Sequence, residues 1–138
     1  MDIPTGVHIL LEREGKVLLQ RRAGTGFFDG LFSLPGGHVE EGESLLETAR
    51  REAREELDID LALGALTLFG AVHRRSDTHR VDFFVRAGAW QGEPRIAEPG
   101  KCDRLVWAAP SALPVETVPY IRAALGQSRG PWILEFGW

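Results

Sequence analysis

The sequence holds one cysteine, one methionine and one tyrosine in 138 residues. A lone Cys102 excludes an internal disulfide framework and suits a reducing compartment, so a cytoplasmic location is expected. No apolar run reaches the roughly 18–20 residues of a membrane-spanning helix, and no membrane partner is expected. The start, Met1-Asp2-Ile3-Pro4, lacks the basic residues and apolar stretch of a signal peptide. Positive charge is also scarce, with 16 Lys and Arg against 20 Asp and Glu and a net charge of −4. That balance supplies no broad basic face, and a nucleic-acid partner is not expected. Internal repeats, low-complexity tracts and linkers are missing. What is there is a globular composition, 43% apolar and 26% charged, in a chain of one domain's length, residues 1–138.

Hydrophobic spacing gives a coarse order of β-β-β-α-β-β-β-α. Thr5 to Glu12 and Lys16 to Arg22 read as a hairpin around Glu14-Gly15. A glycine-punctuated loop, 23–30, leads to the short apolar run Leu31 to Leu34, which Pro35-Gly36-Gly37 stops. Ser44 to Leu57 turns helical. Ser44 with Glu47 fits a capping box, and Leu46, Ala49, Ala53 and Leu57 form an apolar stripe. Ala65 to Val72 and Val81 to Ala89 read as strands joined by the polar segment 74–80. Leu105 to Ala108 is a further strand, Ser111 to Leu113 one helical turn, and Pro119 to Leu125 a second helix with Gly126 after its end. The order predicts helices on both faces of a mixed sheet.

The chemistry lies in the segment from Gly36 to Ile59. With Glu52 at zero on a helical wheel, Glu55 falls about 60° to one side and Glu56 about 40° to the other. Three carboxylates therefore share a narrow face beside the apolar stripe. Like charges at these spacings cost about 0.2–0.5 kcal/mol each in an isolated helix. A divalent cation with oxygen ligands would relieve that conflict. Taken alone, the helix is more simply a solvated surface laced with pairs such as Glu47–Arg51 and Arg51–Glu55.

Spacing beyond the helix changes that reading. The segment resembles the Nudix box, G-x5-E-x7-R-E-U-x-E-E-x-G-U, with U a bulky aliphatic residue. Gly37, Glu43, Arg51, Glu52, Glu55, Glu56 and Ile59 fill the matching positions. Ala53 and Asp58 depart from it, the first at a bulky aliphatic position, the second at a glycine. Asp58 sits where a left-handed turn is expected, which Asp adopts at some cost. The approach LFSLPGGHVEEGE and the later DRLVWAAPSALP are also similar to the family.

The resemblance implies the Nudix fold, an α/β/α sandwich with a mixed sheet. It implies an Mg²⁺-dependent hydrolase, with Mn²⁺ as a possible substitute, acting on a nucleoside diphosphate linked to another moiety. Transferred residue by residue, Glu52, Glu55, Glu56 and the Gly37 carbonyl become metal ligands. Glu98, ahead of the strand that ends near Trp107, is the further candidate ligand. Glu55 is the candidate general base, although the base varies in this family. Arg51 would pair with Glu43 and pin the loop to the helix, so catalysis is assigned to Glu55, Glu52, Arg51 and Glu43.

Substrate phosphates call for cations, and strand alternation puts only one of Arg21 and Arg22 on the cleft side. Arg74, Arg75 and Arg80 each read first as surface charges. Of Phe27, Phe28 and Phe32, at least two are expected in the core and one is free to stack on a base. His38 is within reach of a phosphate, whereas His8, His73 and His79 read as structural. Cys102 reads as a buried or semi-buried thiol.

Markers of other subclasses are missing. A tyrosine about 17 residues past the box is replaced by Ser76-Asp77, and a proline about 15 residues past it by Arg74-Arg75. The leading expectation is therefore a MutT-like enzyme that splits a (d)NTP, or an oxidised one, into monophosphate and pyrophosphate. The alternatives are an ADP-ribose or nucleotide-sugar pyrophosphatase, a non-catalytic nucleotide-binding module, and an RNA-cap hydrolase. The partner is a nucleotide, and both monomer and homodimer stay open. The Trp132, Phe136 and Trp138 tail is apolar enough to pack on the domain or on a second subunit.

Overall fold

The hairpin forms as its sequence directs. β1 (Thr5–Arg13) and β2 (Lys16–Arg22) pair antiparallel, with Arg13 opposite Lys16. Glu14 and Gly15 carry the turn at φ 53° and 76°, as a two-residue turn of the right twist requires. The structure, a computed structural model, describes residues 2–76 and 78–138. Met1, and Asp77 at the position compared with the tyrosine marker, lie outside the described residues.

Next come β3 (Phe32–Ser33), β4 (Gly36–His38) and α1 (Leu45–Leu57). β5 (Asp60–Leu61), a 3-10 turn (Leu63–Ala65), β6 (Leu66–Arg75), β7 (His79–Ala87) and β8 (Trp90–Gln91) follow. β9 (Cys102–Ala108), α2 (Pro119–Leu125) and β10 (Trp132–Phe136) complete the described chain. The main sheet runs β10-β6-β7-β1-β2-β3, with β4 also on β1 and β9 on β2. β1–β7 and β10–β6 are parallel and the other pairs antiparallel, so the sheet is mixed as expected.

β1 is the centre of the molecule because its pleat serves two cores. Val7, Ile9 and Leu11 point to a cluster with Ala49, Ala53 and Leu57 of α1. Leu10 points to a second cluster with Tyr120, Ile121 and Ala124 of α2. Alternation along one strand thus builds the α/β/α sandwich. The stripe read on α1 is buried at Ala49, Ala53 and Leu57, while Leu46 is half-buried.

Three local readings differ from the structure, and the packing of the tail, left open in the sequence, is filled in by it. The C-terminal tail is a strand, β10, parallel to β6, so it packs on its own domain. Trp132, Leu134 and Phe136 pack on the core while the equally apolar Ile133 is 79% exposed, so the sequence does not mark the inward face, and the partner strand of β10 lies some sixty residues upstream. Gly36 to His38 is a strand despite its glycines, because β1 pairs with it at Gly6, Val7 and His8. The charged segment 74–80 is mostly strand, since β6 runs through Arg75 and β7 starts at His79. Ser111 to Leu113 is a turn closed by the Ala112 amide on the Ala109 carbonyl at 2.9 Å, and not a helical turn.

Candidate active site

α1 sets the site, and its ends are well made. The Ser44 hydroxyl accepts from the Glu47 amide at 3.1 Å, as the capping box requires. Asp58 closes the helix at φ 56° and ψ 41°, the left-handed turn expected there. Its carboxylate meets Arg95 at 3.0 Å.

Arg51 gathers the loop ahead of α1. It donates to both oxygens of Glu43, through Nε at 2.6 Å and Nη2 at 3.0 Å. It also reaches the His38 carbonyl at 3.2 Å and Glu52 at 2.9 Å. Glu43 accepts further bonds from the Glu40 amide and the Thr48 hydroxyl. Bonded by Arg51 first of all, the Glu43 carboxyl is pulled down to about 2. The expected pairing of Arg51 with Glu43 is present.

A cavity of about 480 Å³ opens beside α1, lined by Gly37, Glu52, Glu56 and Glu98 among others. β4 puts the Gly37 backbone against the Glu52 carboxylate, so closely that a Cβ at Gly37 would collide with it. Burial raises the Glu52 carboxyl above its ordinary value, against the opposing pull of Arg51. Glu56 is pushed further, to about 8, by burial first and by Glu52 second. Its oxygens accept from Gln20 Nε2 at 3.1 Å and the Gly36 amide at 2.9 Å. Glu98 arrives from the loop before β9, with Lys101 Nζ 3.7 Å away.

Glu55 is placed differently. It is 48% exposed, meets Arg51 at 3.2 Å, and is not among the residues lining this cavity. Among the described residues, no three His, Cys, Asp or Glu side chains converge to the spacing of a filled metal site. The donor set nonetheless fits a hard cation, since Glu52, Glu56, Glu98 and the Gly37 carbonyl offer only oxygen. Gln20 Oε1, buried and lacking a hydrogen-bond partner among the described residues, adds an acceptor beside Glu56. Nothing in the spacing of the sequence marked Gln20, whose signal is only a polar residue inside an apolar strand.

The cations sort as alternation predicts. Arg22 lines the cavity, while Arg21 turns away to Asp103 at 2.7 Å. Lys101 also lines it. Phe32 is core and Phe28 packs against it, leaving Phe27 as the exposed ring. Cys102 is buried, and burial pushes its thiol up. Of the arginines read as surface charges, Arg74 is buried at 1% exposure on its ion pair with Asp82, and Arg80 is nearly so. Arg75 lies over the Trp138 ring. His73 and His79 face each other with Nε2 atoms 2.9 Å apart, and Trp138 packs on both rings.

The loop–helix–strand arrangement around Gly37 and α1 has direct counterparts. A family model of the NUDIX domain matches residues 2–127. The chain belongs to the Nudix family of hydrolases. It is similar to a CTP pyrophosphohydrolase of Escherichia coli K12, 32% identical over 75% of this chain and 74% of that protein. A nucleoside triphosphatase, NudI, of Salmonella agona is 44% identical over 42% of each chain. The crystal structure of a MutT NUDIX hydrolase from Burkholderia pseudomallei superposes with a TM-score of 0.84 at 32% identity, over 93% of this chain and 99% of that one. No helix among the described residues is long and apolar enough to cross a membrane.

Proposed function

We propose that this Nudix hydrolase is a nucleoside triphosphate pyrophosphohydrolase that uses Mg²⁺, with Mn²⁺ able to replace it, and releases monophosphate and pyrophosphate. The observation that carries the reading is the cavity in which Glu52, Glu56, Glu98 and the Gly37 backbone meet Arg22 and Lys101. Carboxylates suited to a cation and cationic groups suited to a polyphosphate line it together, which supports this reading. The names of the similar proteins, which act on CTP and on nucleoside triphosphates, support the same substrate class.

Family members generally need a divalent cation. Glu52, Glu56, Glu98 and the Gly37 carbonyl would hold it, with Glu55 assigned as a further ligand by the family pattern. When bound, such an ion neutralises charge on the phosphate oxygens and sharpens the attacking water. The protein's own part is positioning. Arg51 holds Glu52 and the loop at fixed distances, so the carboxylates need not reorganise during reaction. Arg22 and Lys101 bind the polyphosphate and stabilise the departing pyrophosphate.

The proton of the attacking water passes to a carboxylate. The family pattern points to Glu55. The geometry favours a second reading, Glu98, because Glu98 lines the cavity whereas Glu55 stands outside it on Arg51.

The deciding experiment is initial-rate hydrolysis of a panel of (d)NTPs, an oxidised dGTP, ADP-ribose and dinucleoside polyphosphates. It is run with Mg²⁺, with Mn²⁺ and with chelator, scoring pyrophosphate separately from phosphate. Cation-dependent release of pyrophosphate from nucleoside triphosphates is expected. Turnover confined to ADP-ribose or dinucleoside polyphosphates would overturn the substrate assignment.

A further inference from the structure

A second cavity, of about 400 Å³, shares Arg22, Thr25, Gly36, Gly37 and His38 with the first. Beyond that shared boundary it runs over β1, β6, β7 and α2, with Phe27, Tyr120 and His8 among its aromatic lining. Two connected cavities suit a ligand with one polyanionic end and one flat aromatic end.

The polar wall of this second cavity is unusual in sign. Among the described residues, Arg22, Arg74 and Arg80 line it with the carboxylate of Asp82. Asp82 is buried at 1% exposure, and both its oxygens are engaged. Oδ2 accepts from Arg74 Nε at 3.3 Å and Oδ1 from Arg80 Nε at 2.9 Å. Arg74 is itself fully buried and lies over the Tyr120 ring at 4.3 Å. Arg80 remains 11% exposed. Its Nη1 donates to His38 Nε2 at 2.8 Å, on the boundary between the cavities. Nη2 of Arg80 has no hydrogen-bond partner among the described residues. The placement depends on Gly6 of β1, where a Cβ would strike both Arg80 Nη2 and Asp82 Oδ1.

We infer that this cavity receives the nucleobase and that Arg80 selects guanine and uracil, which present a carbonyl oxygen (O6 or O4) where adenine and cytosine carry an exocyclic amino group (N6 or N4). A guanidinium group only donates hydrogen bonds, and it matches the O6/N7 edge of guanine. An exocyclic amino group in the same position sets donor against donor in a buried site, which such sites reject strongly. Asp82, the charged acceptor among the described residues of the wall, is already taken by two arginines. The assignment of Arg80 rests on the proposal that a nucleoside triphosphate is the substrate, and it deepens that proposal to the class of base.

The test compares kcat/KM for GTP against ATP and for UTP against CTP on the full chain with Mg²⁺. Calorimetric binding of GMP and AMP without metal runs alongside. The keto base is expected to lead each pair by about tenfold or more, mainly through KM. GMP is expected to bind more tightly than AMP. In Arg80→Met the ratios should fall toward one. Gly6→Ala should do the same while keeping every charge, because its Cβ displaces the Arg80 head; circular dichroism checks that both variants fold. Equal or reversed ratios in the wild type, or a keto preference that survives both variants, would overturn the inference. If no nucleoside triphosphate is turned over, the proposed function fails, and GMP against AMP binding still decides what the cavity reads.

Discussion

Arg51 grips Glu43 with two parallel hydrogen bonds, Nε to Oε2 at 2.6 Å and Nη2 to Oε1 at 3.0 Å. The fork geometry is one that lysine cannot reproduce. Arg51→Lys is therefore expected to keep the charge and lose the loop position. We predict a drop in kcat of about 10²-fold, the size of a misplacement effect, with the fold retained. Steady-state kinetics and circular dichroism check it. A variant with full kcat would show that the pair is dispensable for positioning. The depressed Glu43 carboxyl also has a sign. Its contribution to stability is present above pH 4.5, the ordinary value, and is lost as pH falls through about 2.

Gly37→Ala tests the close approach of β4 to α1. The new Cβ would occupy the space of the Glu52 carboxylate. Expected are weakened Mg²⁺ binding and a large loss of turnover, with thermal unfolding of the metal-free protein shifted by only a few degrees. Unchanged Mg²⁺ affinity by calorimetry would remove Gly37 and Glu52 from a shared site.

Glu56 gives the metal-free protein a pH dependence opposite to that of a paired carboxylate. Its value of about 8 lies above the ordinary 4.5, so between these limits the folded state holds a proton that the unfolded state has released. Stability then falls as pH rises across that window, by at most about 1.4 kcal/mol per pH unit, and levels off above it. Urea titrations from pH 5 to 9 in chelator should show the slope, and Glu56→Gln should flatten it. A wild-type curve with no fall across the window would contradict the assignment.

Glu98→Gln is expected to lower kcat more than Glu55→Gln, and by about 10²-fold or more if Glu98 takes the proton of the water. The pH profile of kcat separates the roles, since losing the base removes the acid limb. A deeper loss and a flattened limb in Glu55→Gln would return that role to Glu55.

Asp82→Asn leaves two guanidinium groups around a neutral amide in the interior. Removing the charge from such a buried cluster costs about 3 kcal/mol, read as a lower urea midpoint at unchanged slope. A shift of less than about 0.5 kcal/mol, the range of ordinary surface changes, would show that Arg74 does not need this carboxylate.

The box residues were legible because they sit in local register. Gly37, Glu43, Arg51 and Glu52 lie within sixteen residues and meet through one turn and one helix. The left-handed Asp58 and the inward Arg22 were also readable, from a helix end and a strand alternation. What escaped depends on distant pairing. β4 exists because β1 lies beside its glycines, and β10 because β6 accepts it on a parallel register. Arg74 and Arg80 looked like turn charges; Asp82, two residues along β7 from Arg80 and on the strand beside that of Arg74, turns them inward. Gln20 had no motif to announce it. Glu55 and Glu56, adjacent in the box, end in unlike surroundings because one step of about 100° carries a side chain from solvent to the cavity wall.

β1 gives its odd-numbered residues to the layer that holds α1 and its even-numbered ones, Gly6, His8 and Leu10, to the layer of α2 and the second cavity. A single strand is thus the party wall between two trades. A change at residue 6 or 8 is felt by whatever enters the second cavity, and a change at 7 or 9 by the helix that carries the carboxylates. The molecule can acquire a new taste in substrates along one edge of the pleat while its cutting edge, one residue away, stays as it was.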